Sequence, residues 1–365
     1  MSTTRIDIRS KSHDYHVLFL SEMAEAVAMH RGVPNTFWLV DPNVEAAFPS
    51  AFAGALDATN AVRVEATEEN KSYEAIGPLF LEFLARGMRR DSTLVVVGGG
   101  ILQDIGCFIA STFARGIKWE LIPTTLLSQV DSCIGSKSSV NIGKYKNQLG
   151  TFYSPHRILL AEDATSTLGL KEIHSGIGEL TKFLLLESEP DFERFVAEVH
   201  RHETERGWIL PWTRRALEIK KAYIEEDEFD RGRRNLLNYG HTFGHAYESA
   251  TRYELPHGIA VLLGMLTATS VSVSLGMANP VYLEKVQKGL HPWILPYWEL
   301  LANAPRQPIF DALKRDKKNT AKGINCILTR GFGRMERIAL DLDSVLIPEL
   351  NRFIDNNPIS EESAK

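Results

Sequence analysis

Residues 240–258, GHTFGHAYESATRYELPHG, gather three histidines, His241, His245 and His257, in one short run. Histidine offers a neutral ring nitrogen to a metal or carries a proton near neutral pH. On a helix, His241 and His245 are four positions apart and share a face. That spacing suits zinc, and it equally suits ordinary structural histidines. His257 follows in LPHG, which reads as a turn after the helix.

GIGELTK, residues 176–182, adds a carboxylate and an amine. Glu179 and Lys182 are three apart, hence on one helical face, among small and apolar neighbours. A charged pair on a half-buried face needs partners. Glu179 with two histidines would make a three-ligand zinc site with an open position, the catalytic arrangement. The alternative is a local ion pair of little worth. Lys220 and Lys221, the run RGRRNLLN with Arg234, Asn235 and Asn238, and KRDKKN with Lys317 and Lys318 supply basic and amide groups. Gathered near a metal, they would suit a substrate carrying carboxylate and phosphate; otherwise they are solvated surface charge.

These residues need elements to hold them. TFWLVD (36–41) and TLVVVGGG (93–100) read as buried strands, and SYEAIGPLFLEFLARGM between them has the apolar spacing of a helix. GGGILQDIGCFIASTFARG reads as a turn and a helix, and WELIPTTLL as another strand end. Strand, helix, strand, helix at this spacing predicts a parallel α/β sheet. Beyond about residue 170, helical patterns dominate: EIHSGIGELTKFLLLES, TRRALEIKKAYIEEDEF, LLNYGHTFGHAYESA and GIAVLLGMLTATSVSVSLG. The expected architecture is an α/β domain over residues 1–170 and a mostly helical domain over 171–365.

Gly98, Gly99 and Gly100 follow an apolar strand and open a helix, a place where the backbone approaches a phosphate and the helix N-terminus donates amides. A plain tight turn is the alternative, and the segment is not the GxGxxG fingerprint. The polar stretch PTTLLSQVDSCIGSKSSVNIGKYKNQLGTF, with Thr124, Thr125, Asp131, Lys137, Lys146 and Asn147, reads as a long loop at the carboxyl end of the sheet, where α/β folds bind ligands.

The 365 residues suffice for two domains. A net charge of −5 gives no general attraction to nucleic acid or an anionic membrane. The N-terminus lacks the apolar core of a signal peptide, and no uninterrupted apolar run reaches the roughly 20 residues of a span. Cys107, Cys133 and Cys326 lack the spacing of a disulfide framework or a cysteine zinc site. A cytoplasmic protein is expected.

The order GGGxxxD, ARG, PTTLLxQVDSxxGxK, KN, TL, GxxELxK, RNLLNxGHTFGHAxE, HG and DKKN, from about residue 68 to 319, resembles 3-dehydroquinate synthase and its relatives, the sugar phosphate cyclases. The resemblance implies an N-terminal NAD-binding α/β domain with a parallel sheet, a helical metal-binding C-terminal domain, and an active site in the cleft between them. By position it implies Glu179, His241 and His257 as ligands of Zn2+, with Co2+ as an alternative, and His245 as a substrate-facing residue. Helical spacing alone pairs His241 with His245 instead. Asp41, Glu68, Lys71, Gly98, Gly99, Gly100, Asp104, Thr124, Thr125, Asp131, Lys146, Thr167 and Leu168 fall at NAD positions. Lys137, Asn147, Lys182, Lys220, Arg234, Asn238 and Lys317 fall at substrate positions. The family lysine near residue 220 falls on Lys220 or Lys221, and gapless spacing to Arg234 favours Lys220. Arg115 matches an arginine that reaches a neighbouring subunit's substrate phosphate, which implies a homodimer.

The implied reaction uses NAD transiently: hydride leaves a ring carbinol, phosphate is eliminated, the hydride returns, the ring opens, and an intramolecular aldol closes a carbocycle. The implied partner is a small phosphorylated sugar; nucleic acid and membrane are not expected. Where dehydroquinate synthases commonly read GGKTGVN–x–PLGKN, this chain reads GSKSSVNIGKYKNQLG, with Ser136, Ser138 and Tyr145 departing. That loop is closer to cyclases of neutral sugar phosphates, which form valiolone-type or inosose-type rings, whereas RGRRNLLN with Arg234 suits a substrate carboxylate. A metal-dependent polyol or glycerol-phosphate dehydrogenase is the rival enzyme class and would release NADH. A non-catalytic binding module would not need Glu179, His241, His257, Lys182 and Arg234 together.

Overall fold

The computed structural model describes residues 4–202, 207–315 and 323–358. The chain forms two compact units, Met1–Gly169 with Glu205–Asp230, and Leu170–Thr204 with Arg231–Lys365.

The first unit is built on a seven-stranded sheet. Its strands are β1 (Thr4–Ile8), β2 (Tyr15–Leu20), β3 (Thr36–Val40), β4 (Ala61–Arg63), β5 (Thr93–Gly98), β6 (Lys118–Pro123) and β9 (Arg157–Ala161); β7 (Val140–Ile142) and β8 (Tyr145–Leu149) form a separate hairpin. The order is β1-β2-β9-β6-β5-β3-β4. All neighbours run parallel except β1, which pairs antiparallel with β2. The expected parallel sheet is present, and the N-terminal hairpin was not foreseen. Val95, Val96 and Val97 of β5 are fully buried because both faces are covered. The covering helix Gly100–Thr112 comes very close: a Cβ on Gly106 would lie 2.3 Å from Val96 Cγ2.

The helix Leu210–Glu226 belongs with the first unit, not with the helical half. Leu217 and Ile224, two turns apart on one face, are buried in the same core as Ile8 and Val17. Periodicity reveals that a helix has an apolar face but not which core receives it. The polar stretch after β6 is also more ordered than a loop, containing a π-turn at Ser128–Ser132 and the β7–β8 hairpin.

The second unit is mainly helical, with Leu170–Glu187, His241–Ala250 and His257–Ser274 at its centre and a hairpin of β10 (Ile324–Thr329) with β11 (Met335–Leu340). The expected long helix over LLNYGHTFGHAYESA is broken. Arg233–Asn238 is a 3-10 turn, and Gly240 at φ 81° takes the left-handed conformation before His241 begins a new helix. His257 likewise begins its own helix after Pro256, instead of sitting in a turn. Helix His257–Ser274 is long and apolar enough to cross a membrane, yet 78% of it is buried within the protein, the burial of a core helix.

Candidate functional site

In the second unit, three glycine contacts bring the chemistry together. A Cβ on Gly178 would lie 2.1 Å from the Gly258 carbonyl oxygen, and one on Gly258 would lie 1.8 Å from that of Ser175. A Cβ on Gly264 would lie 2.0 Å from the carbonyl oxygen of Gly240. Only glycine lets these three helices meet at backbone distance. Gly178, Gly240 and Gly258 adjoin Glu179, His241 and His257 in the chain, so close helix packing is also what converges those side chains.

Glu179 is 1% exposed. Lys182 Nζ donates to its Oε2 at 2.5 Å. Its Oε1 lies 3.4 Å from His241 Nε2 and 3.1 Å from His257 Nε2, buried and without an aligned hydrogen bond. Burial alone would raise the Glu179 carboxyl; Lys182 and the histidines outweigh it and hold it well below the carboxylate range. Burial lowers His241 against the pull of Glu179. Burial also opposes charge on His257, but the nearby carboxylates of Glu179 and Glu248 lift it to about 10. A buried carboxylate oxygen left over after its lysine bond, facing two ring nitrogens, fits a divalent cation with three protein ligands.

His245 is exposed one turn along, its ring 5.3 Å from that of His241 and 5.8 Å from that of His257. Ring nitrogens of all three histidines fall within 4.8 Å of one another. Arg234 is buried in the 3-10 turn, and Asn238 Nδ2 donates to the Asn235 carbonyl at 2.9 Å. Lys317 and Lys318 lie outside the described residues.

In the first unit, Gly98 pairs with Pro123 across β5 and β6, and the Thr124 amide donates to the Gly98 carbonyl at 3.1 Å. The glycine turn and the Thr124–Thr125 strand end are therefore neighbours. A Cβ on Gly99 would strike Thr125 Cγ2 at 2.7 Å, whereas one on Gly100 would meet only Ser132 Oγ at 3.7 Å. The turn leaves open backbone at the start of a helix, which suits a pyrophosphate.

Beside it lies a polar hub. Lys71 Nζ is 3.3 Å from Asp104 Oδ2, 3.0 Å from Asn147 Oδ1 and 3.7 Å from Glu68 Oε1. Asp104 also accepts from the Ser139 amide at 3.0 Å and hydroxyl at 2.9 Å, and burial pushes its carboxyl up more than Lys71 and Ser139 lower it. Asn147, expected with the substrate residues, thus sits with three expected cofactor residues. Asp41 caps its own helix by accepting from the Asn43 amide at 2.9 Å, and burial raises its carboxyl. Lys146 and Thr167 are exposed, and Leu168 is half-buried. Lys137 pairs with Asp230. Lys220 is buried and bonds the Asp131 carboxylate at 2.5 Å and carbonyl at 2.7 Å, whereas Lys221 is partly exposed and 3.8 Å from Glu225. Arg115 is exposed, at φ 68°.

Residue types alone did not single out Ser139 and Glu248, which touch Asp104 and His257. A serine within a polar loop carries no spacing signal. Glu248 does stand seven residues after His241, a separation that keeps both on one helical face.

Residues 61–175 match the family model described as 3-dehydroquinate synthase N-terminal, and residues 176–319 match 3-dehydroquinate synthase C-terminal. The chain is 32% identical over 359 residues to a protein named 3-dehydroquinate synthase from Thermoanaerobacter sp. (strain X514), covering 95% of this chain and 99% of that one. The fold is similar to that of 2-deoxy-scyllo-inosose synthase complexed with carbaglucose-6-phosphate, NAD+ and Co2+, with TM-score 0.82, 21% identity and coverage of 95% and 99%. It is also similar to that of ValA (2-epi-5-epi-valiolone synthase) from Streptomyces hygroscopicus subsp. jinggangensis 5008 with NAD+ and Zn2+ bound, with TM-score 0.78, 23% identity and coverage of 94% and 99%. With both family models matched in order and the relative aligned almost end to end, the chain belongs to the 3-dehydroquinate synthase family.

Proposed function

We propose that the protein is an NAD- and zinc-dependent sugar phosphate cyclase that converts a seven-carbon acid phosphate to 3-dehydroquinate. The observation that carries this reading is the buried Glu179 Oε1 facing His241 Nε2 and His257 Nε2, in a chain of this family. Bound NAD+ would accept and return a hydride while the metal polarises the substrate's oxygens. Glu179, His241 and His257 hold the metal. Lys182 occupies Glu179 Oε2, which fixes the direction of Oε1. Gly98–Gly100 and Thr124–Thr125 take the dinucleotide, with Asp104, Lys71 and Glu68 beside them; Asp41, Asp131, Lys146, Thr167 and Leu168 complete that set. Arg234 grips the substrate carboxylate in a two-point bond that lysine lacks. Lys137, Asn147, Lys220, Asn238, His245 and Lys317 are assigned to the remaining substrate oxygens, where their donors orient and neutralise charge.

The second reading is a cyclase of a neutral sugar phosphate, favoured by the departing loop. Ser138, however, accepts from the Thr151 amide at 3.0 Å and meets its hydroxyl at 3.0 Å, and Ser136 is buried. The Ser138 change thus serves the loop's own frame and does not by itself favour a neutral substrate, so the buried Arg234 weighs toward the acid phosphate. The test is phosphate release, with product identification by mass spectrometry, from zinc-loaded protein given the acid phosphate or sedoheptulose 7-phosphate and catalytic NAD+. Turnover of the neutral sugar alone overturns the choice, and stoichiometric NADH overturns the cyclase reading.

We further propose a homodimer and a cytoplasmic location. Tyr73, Leu81 and Leu84 leave an apolar stripe exposed on helix Tyr73–Ala85, and Phe80 of that helix stacks on Phe113, two residues before Arg115. An exposed stripe of this kind suits a subunit contact, and light scattering at micromolar protein tests it. The three cysteines are buried and free, in keeping with a reducing compartment.

A further inference from the structure

His257 presents two nitrogens, and only Nε2 faces Glu179 Oε1, at 3.1 Å. The opposite nitrogen, Nδ1, lies 3.2 Å from both carboxylate oxygens of Glu248. Among the described residues, the hydrogen bonds of that carboxylate go to His257 alone. Glu248 is itself well anchored. It sits near the end of helix His241–Ala250, and its carbonyl accepts from the Tyr253 amide at 2.8 Å and the Thr251 hydroxyl at 3.2 Å. Its side chain is 14% exposed. Glu248, the His257 ring and Glu179 Oε1 therefore form one line, carboxylate to imidazole to carboxylate.

We propose that Glu248 is a positioning residue that holds His257 by Nδ1–H, so that Nε2 is the nitrogen given to the metal. The physical reason is general. An imidazole is symmetric enough to bind through either nitrogen, and a carboxylate accepting from one nitrogen fixes the ring's orientation and makes the other a stronger donor. His257 needs this more than His241, whose Nδ1 already lies 3.3 Å from the backbone carbonyl of Tyr239, two residues away. The inference rests on the metal reading above.

The test measures metal affinity, not turnover. Zn2+ and Co2+ are titrated by chelator competition into the metal-stripped full chain and into Glu248→Ala, Glu248→Gln and His257→Ala, with circular dichroism to confirm folding. Glu248→Ala should bind Zn2+ roughly 10–100-fold more weakly, the usual cost of losing such a partner. Glu248→Gln keeps an acceptor oxygen without the charge, so it should fall between Ala and the parent and shift the Co2+ visible bands. Zn2+ affinity within twofold of the parent in both variants, with an unchanged Co2+ spectrum, overturns the role of Glu248. If His257→Ala also keeps its affinity, the ligand set itself is wrong; if only His257→Ala loses metal, the ligand set stands and the positioning role falls. Should Glu248→Ala misfold, the isosteric Gln variant decides.

Discussion

Gly178 and Gly258 pack backbone to backbone: a methyl on the first would sit 2.1 Å from the carbonyl oxygen of the second. Each adjoins a candidate metal ligand, Glu179 or His257. Gly178→Ala should therefore push the helices apart and open the ligand triangle. Overpacking of this kind costs about 1–3 kcal/mol. Elemental analysis and a thermal melt should show lost metal and a lower Tm together. Gly77 on helix Tyr73–Ala85 has nothing within 4 Å of an added Cβ, so Gly77→Ala is a control expected to be neutral or stabilising by about 0.5–1 kcal/mol. Full metal occupancy and an unchanged melt in Gly178→Ala would mean the glycine contact does not position the ligands.

Lys220 and Lys221 are adjacent yet physically unlike. The Lys220 side chain is 7% exposed and bonds Asp131 twice, whereas Lys221 is 34% exposed and 3.8 Å from Glu225. Removing one partner of a buried pair costs about 3–5 kcal/mol, and an exposed pair is worth about 0–1 kcal/mol. Urea unfolding should separate Lys220→Met from Lys221→Met on that scale. Equal losses would mean that the buried Lys220–Asp131 pair contributes no more to folding than the exposed one.

Arg234 is buried, and a guanidinium grips a carboxylate at two points. Arg234→Lys should weaken transition-state binding of the acid phosphate by about 2–4 kcal/mol, the scale for one side of a desolvated charge pair. That is on the order of 30- to 900-fold in kcat/KM. A change under threefold, measured with the acid phosphate, would remove Arg234 from carboxylate recognition.

His156 makes part of the stability pH-dependent. Burial, then the charges of His13 and Lys118, pushes it down from 6.5 to about 4. Its ring stacks on His13 at 4.0 Å, and its Nδ1 accepts from the Trp119 amide at 3.4 Å, a bond lost on protonation. The unfolded chain takes the proton near 6.5 while the folded one resists until about 4. Its stabilising share is therefore complete above 6.5, declines as pH falls through that window, and stays lost below 4. His156→Gln should flatten the fall in unfolding free energy between pH 6.5 and 4. An unchanged slope would show that this histidine does not couple to folding.

The sequence by itself carried the parallel α/β half, the helical half and the family motifs. Apolar runs such as Val95–Val97 and the three-glycine turn after them foretell strand, turn and helix because their causes are local. Motif order singled out Glu179, His241 and His257, whereas helical spacing alone paired His241 with His245, because spacing sees one helix at a time; the structure brings all four side chains together. Tertiary structure decided what depends on contacts between segments. Gly240 breaks the expected helix so that His241 starts a new one, and His257 opens the next. The helix Leu210–Glu226 packs with the first unit because Leu217 and Ile224 find their core there. Glu248 and Ser139 meet His257 and Asp104 at 3.2 Å and 2.9 Å only once the chain is folded, and a linear pattern cannot encode such distances.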